Sequence, residues 1–200
     1  MSFINYAAFN DPRSRQMAMG VDLRPSKAIT DPKGQVLVYA QTGGILNPSR
    51  YELHPGTIVF RFGTISAGVE NVAKGGWWVE NPEFEKLFAF AQKWDISIGM
   101  AMRSLCLVPP EWSGVTLLVR ARVTDPLLAW RGLANSVVTP ATDAGPMVRM
   151  AHQNDNSERR LNQLFVPGLA ALPQTTPGLR VEQVYSLDAS ESMRGFLYML

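Results

Sequence analysis

The stretch Thr57–Ala91, TIVFRFGTISAGVENVAKGGWWVENPEFEKLFAFA, sets the terms for the rest of the chain. Its opening, Thr57–Phe62, is dense in β-branched and aromatic residues and stops at Gly63, so it reads as a buried strand. Gly63–Gly76 is rich in small residues and closes on Gly75-Gly76, which makes it a loop, with Val69–Gly75 too weakly patterned for a helix. Trp77-Trp78-Val79 reads as a short second strand. Asn81 then suits a helix N-cap, Pro82 the first helical position and Glu83 the positive end of the helix dipole. Phe84, Leu87, Phe88 and Ala91 recur at i, i+3, i+4 and i+7, so the helix that follows, ending near Lys93, has one apolar face.

The flanking sequence fills in an α+β domain. A chain of 200 residues can bury a sizeable core, and its length favours one domain with an appended arm. Residues 1–48 are broken by Asp11-Pro12, Arg24-Pro25, Asp31-Pro32, Lys33-Gly34 and Gly43-Gly44, which allow only short elements such as a strand at Gln35–Ala40. They read as an N-terminal arm, and 49–200 as the main domain. Downstream, Ser97 caps a short helix through Met102, and Arg103–Val108 reads as a strand stopped by Pro109-Pro110. Val115–Val123 is the clearest strand, with Arg120 and Arg122 on one face. Further strands fall at Leu127–Trp130, Leu161–Val166 and Leu179–Leu187, and 134–160 turns polar and irregular, a mobile stretch by composition. Strands outnumber helices and no βαβ rhythm repeats, so the sheet is expected to be mostly antiparallel or mixed, with one well-defined amphipathic helix. The apolar end, Phe196–Leu200, calls for a partner surface.

Several functional classes drop out. A net charge of +2 is too small to argue for nucleic acid by bulk electrostatics. The single cysteine, Cys106, forbids an intrachain disulfide and, among Leu105, Leu107 and Val108, reads as a buried inert thiol. With two histidines, a structural zinc site is not expected. There is no P-loop, no G-x-G-x-x-G and no H-E-x-x-H. No apolar run reaches the roughly 20 residues that cross a bilayer, and the N-terminus lacks the layout of a signal peptide. The expected setting is a reducing cytoplasm, with export by another route left open.

Three features point to chemistry. Thr64-Ile65-Ser66-Ala67-Gly68 nearly matches a G-x-S-x-G nucleophile elbow, but Thr64 replaces the first glycine, which makes a serine hydrolase using Ser66 a lesser alternative. Arg61 ends an otherwise apolar strand beside a glycine, a costly place for a guanidinium unless its fork meets an anion or its head reaches solvent. Trp77-Trp78 puts one ring in the core and offers the other as a flat platform for a planar ligand, worth about 0.5–1.5 kcal/mol beyond burial.

In their order, VFRFGT (Val59–Thr64), GGWWVENPEFEKLFAFA (Gly75–Ala91) and NQLFVPG (Asn162–Gly168) resemble the motifs of ADP-ribosyltransferases of the bacterial toxin and effector type. The resemblance implies NAD as a consumed substrate and an ADP-ribosyl acceptor that is a macromolecule, protein or nucleic acid, or water. It places Arg61, with Gly63 and Thr64, on the NAD phosphates or ribose, and Trp77 or Trp78 on the nicotinamide ring. Where the family has its catalytic glutamate, four residues before the proline, this chain has Gln163. Glutamine keeps a hydrogen bond to the ribose hydroxyl but carries no charge. Either another carboxylate serves, Glu158 and Glu80 being the nearest in sequence, or the substrate supplies the assistance, or the chain is a catalytically degenerate binding protein on the same scaffold.

Overall fold

The computed structural model describes residues 2–23, 28–39, 43–139 and 147–188. Its centre is a seven-stranded sheet formed by β3 (Ile45–Leu53), β4 (Ile58–Gly63), β5 (Trp77–Glu80), β6 (Leu117–Val123), β7 (Leu127–Ala134), β10 (Asn162–Phe165) and β11 (Leu179–Ser186). The order across it is β11-β6-β4-β5-β10-β7-β3, with every neighbouring pair antiparallel. Two small antiparallel pairs accompany it: β1 (Ala28–Thr30) with β2 (Val36–Tyr39), and β8 (Val137–Thr139) with β9 (Met147–Met150). The chain is therefore α+β, as its patterning indicates.

Period-two alternation divides the core between the two faces of the sheet. On one face Val59, Trp78, Val119, Ala121 and Leu164 pack together with Val72 of α3 (Val69–Ala73). On the other, Val79 and Leu161 lie under α4 (Asn81–Lys93) and α5 (Ile98–Cys106), which contribute Leu87, Phe90, Ala91, Ala101, Met102 and Leu105. Burial of each such apolar side chain is worth roughly 1.5–3 kcal/mol.

Several elements differ from expectation for identifiable reasons. Val69–Ala73 does form a helical turn, because Val72 fills the space in front of Gly63. Glu80 occupies the N-cap of α4; Asn81 is its first residue, and its side-chain amide donates to Glu85 at 2.7 Å. The buried stripe of α4 is Glu83, Leu87, Phe90 and Ala91, while Phe88 is half exposed. Glu83 turns inward because the Asn162 amide, the Asn162 backbone N–H and Arg131 all donate to its carboxylate. That rotation leaves Phe84 stacked on Phe60 at 3.9 Å.

The expected strand at Arg103–Val108 is instead the second half of α5, capped by Ser97, whose hydroxyl accepts from the Met100 N–H at 3.0 Å. Arg103 is almost fully buried and donates to the Val108 carbonyl (3.4 Å) and the Ser113 carbonyl (2.7 Å). Leu107 adopts a left-handed conformation (φ 54°) that ends the helix, so the chain doubles back to give Arg103 those carbonyls. Cys106 consequently sits on a helix, not a strand.

The first residues are fastened to the sheet. The Asn5 amide donates to the carbonyls of Leu128 and Pro167, and its oxygen accepts from the Leu128 N–H. After α1 (Tyr6–Phe9) and α2 (Ser14–Ala18), β3 runs through Pro48 without ending, with a register shift between Leu46 and Ser49 in its ladder to β7. Within 134–160, β8, β9 and a short turn at Ser157–Arg159 give more order than the composition suggested. Phe196–Leu200 lies outside the described residues.

Candidate functional site

The ladder between β4 and β5 covers only Val59 with Glu80 and Phe60 with Val79. Beyond it, Arg61 and Phe62 on β4 and Trp77 and Trp78 on β5 line a cavity of about 660 Å³. That lies within the roughly 300–1,000 Å³ usual for small-molecule sites. β10 supplies Gln163 and Phe165 to its wall, the end of α5 supplies Met102 and Cys106, and the following loop supplies Trp112 and Ser113.

Arg61 crosses the split between the strands and donates from Nη1 to the Trp77 carbonyl at 2.6 Å. Its Nε is buried and has no hydrogen-bond partner among the described residues. Burial lowers its pKa to about 10, so the guanidinium remains charged at neutral pH. Gly75 lies flat against it: a Cβ there would stand 2.1 Å from Nη2. A buried cation held by one carbonyl, in the wall of a cavity, is short of hydrogen-bond acceptors.

The tryptophans divide as alternation requires. Trp78 is only 2% exposed, packs in the core and donates from its indole to the Gly75 carbonyl at 2.7 Å. Trp77 is partly exposed and meets Phe165 at 5.0 Å with the rings tilted by 52°. Of the pair, Trp77 has the freer face.

Gln163 is buried, and its Nε2 donates to the Cys106 carbonyl at 3.1 Å. Only the nitrogen end can face that carbonyl, which leaves the amide oxygen as an acceptor for a ligand. Next to it, burial, and then the charge of Glu83, push the Cys106 thiol up to about 12. The thiol is neutral and forms wall, not nucleophile.

The structure therefore brings Arg61, Trp77, Trp78 and Gln163 to one cavity. Gly63 and Thr64 stand outside its wall. Gly63 faces Val72, and the Thr64 hydroxyl accepts from the Gly114 N–H at 2.9 Å, fixing the loop that carries Ser113. Glu158 is elsewhere, exposed and paired with Lys93 at 2.6 Å beside a second depression lined by Lys86, Lys93 and Arg160. Glu80 lies at the far end of β5, where Tyr51 donates to it at 3.0 Å. Ser66 lies on an exposed turn, and neither His54 nor His152 lines the cavity. Among the described residues no cluster of metal-ligating side chains occurs, and no helix is long and apolar enough to cross a membrane.

Sequence reasoning missed Trp112 and Asp22, which also line the cavity. Trp112 carried a weak signal, a tryptophan after Pro109-Pro110; Asp22 carried none, since its place depends on how residues 20–23 are folded across the site.

No family model matches the sequence, and no curated protein matches it. Among solved structures, the chain is similar to one in the structure of Tne2 in complex with Tni2. There the TM-score is 0.39 and the identity 11%, over 70% of this chain and 92% of that chain. It is also similar to one in Rhs1-CT in complex with cognate immunity protein RhsI1, with a TM-score of 0.40 and 16% identity over 71% of this chain and 83% of that one. Likeness at this level carries no argument about what this chain does.

Proposed function

We propose that the cavity takes NAD and that the protein breaks its nicotinamide–ribose bond, passing ADP-ribose to a macromolecular acceptor or to water. One observation carries the reading: a buried guanidinium without a carboxylate partner, a flat aromatic and a buried amide acceptor face a single cavity of suitable size. Arg61 would hold a phosphate or the ribose through Nη2 while Nη1 keeps the Trp77 carbonyl. Trp77 would stack on the nicotinamide ring, with Trp78 as the core anchor behind it. The Gln163 oxygen would accept from a ribose hydroxyl. NAD is the substrate, and its loss would make the chain a toxin-type effector, the setting the resemblance implies.

The bond breaks as positive charge develops on the ribose, and Gln163 offers that charge a dipole in place of a full negative charge. A lost charge match commonly costs a few kcal/mol, on the order of a hundred- to a thousandfold in rate. The direct test is release of free nicotinamide, measured by mass spectrometry, from NAD incubated with wild type and with Arg61→Ala. Release by wild type and at least about tenfold less by Arg61→Ala is expected from a charged ligand contact. Intact NAD after prolonged incubation with wild type contradicts the reading.

The neutral Gln163 also favours a second reading, a binding protein on the same scaffold whose chemistry is lost. Gln163→Glu separates the two poorly, because a carboxylate there would face the Cys106 carbonyl and repel it. A wild type that binds NAD and leaves it intact supports the second reading.

A further inference from the structure

Among the described residues that line the cavity, one carries a positive charge and one a negative charge: Arg61 and Asp22. We propose that Asp22, from the N-terminal segment, is the catalytic carboxylate of this site, in the role that Gln163 leaves without a charge. The assignment rests on the NAD-cleaving reading and makes it specific.

The position of Asp22 is built, not incidental. Gly20 (φ 79°) and Gly44 (φ 84°) lie face to face at the start of β3. A Cβ on Gly20 would stand 2.3 Å from the Gly43 carbonyl oxygen, and one on Gly44 would stand 2.3 Å from the Gly20 nitrogen. Only glycine satisfies both the left-handed backbone and the closeness of approach. Upstream, the segment is tied to β7: Phe9 stacks on Trp130 at 4.4 Å, and the Trp130 indole donates to the Ser14 hydroxyl at 2.8 Å. Val21 then bridges as a strand residue, and Asp22 lies half-buried in the cavity wall.

Among the described residues, the rest of the wall supplies no negative charge. It holds the neutral amide of Gln163, the Ser113 hydroxyl and the Cys106 thiol, together with apolar and aromatic side chains. Glu158 and Glu80 do not line the cavity. In a cavity with low-dielectric walls, a fixed carboxylate stabilises an adjacent developing cation far more than it would in water. In the step, the bond between ribose C1′ and the pyridinium nitrogen breaks, and its electron pair stays on nicotinamide. The ribosyl cation is shielded by Asp22. A water oxygen then bonds to C1′ and passes its proton to the Asp22 carboxylate, which returns it to solvent. NAD and water give ADP-ribose, nicotinamide and a proton.

The test uses the full chain. Asp22→Asn and Asp22→Ser are compared with wild type and with Glu158→Gln for nicotinamide release, calorimetric NAD affinity and melting temperature. Expected is a fall in kcat of about a hundredfold or more for both Asp22 variants, with NAD affinity within about threefold of wild type and Glu158→Gln unchanged. The Asp22 variant that melts closer to wild type is the one read. Release by that variant within about tenfold of wild type overturns the assignment while the NAD reading stands, as does a larger loss in Glu158→Gln. A loss of affinity that accounts for the whole loss of release also overturns it, since Asp22 would then be a binding group. A wild type that releases no nicotinamide overturns both.

Discussion

Arg61 is unfavourable for the fold, and the proposed anion site is what would use it. Its guanidinium is drawn into a cavity wall, keeps one carbonyl, and leaves Nε without a partner among the described residues. Replacing it with a side chain of similar length and no charge removes that desolvation. Arg61→Met is therefore predicted to leave stability unchanged or raise it by about 1 kcal/mol, measured by denaturant unfolding, while ligand binding falls. Glu83 is the opposite case, a buried charge that is well satisfied. Burial alone would raise its pKa, but donors on Asn162 and Lys86 outweigh that and hold the carboxyl below its ordinary value of 4.5. A depressed acid stabilises the fold above its unfolded-state pKa and loses that contribution as pH falls through the folded value. Glu83→Gln should cost about 2 kcal/mol at neutral pH, and the gap to wild type should narrow as melting is followed to pH values below 4.5. Arg61 was legible in the sequence because an arginine closing VFRFG is out of place without an anion. Asp22 was not, because nothing in VDLRP separates a cavity wall from a surface turn.

At the scale of elements, local pattern went furthest where one face meets one layer. The expected strand at Val115–Val123 forms from Leu117 onward, after Val115 turns left-handed (φ 50°); the Trp77–Val79 strand forms and runs on to Glu80, and Ser97 caps the helix it should. Arg103–Val108 did not, because a short apolar run suits strand and helix equally, and the choice is made by Arg103 reaching carbonyls of residues 108 and 113. The inward turn of Glu83 was equally hidden, since its donors lie on β7 and β10. The join between the N-terminal segment and β3 offers a sharp test. Gly44→Ala adds a methyl at a left-handed position where a Cβ would also stand 2.4 Å from the Met19 carbonyl carbon. Loss of at least about 1 kcal/mol of stability is predicted, together with weaker NAD binding. A variant that melts with wild type and binds NAD equally well would show that the segment does not hold the wall.

For the molecule as a whole, the sheet does two jobs. Its paired part buries a core on both faces, and where β4 and β5 separate it opens the cavity that α5, the 107–113 loop and the first residues enclose. The α+β class was legible from the count and order of strands. The part played by residues 1–48 was not, because Asn5 and Gly44 act through partners more than eighty residues away or through close backbone approach. Of that segment, Met17, Gly20, Val21, Asp22, Leu23 and Gly44 line the cavity. The claim that the cavity is an NAD site is tested most directly by calorimetric titration of NAD into wild type and Arg61→Met, the variant expected to keep its fold. The prediction is a single saturable site in wild type and an affinity lower by about tenfold or more in Arg61→Met. No binding heat with wild type, or equal affinity in both proteins, would contradict it.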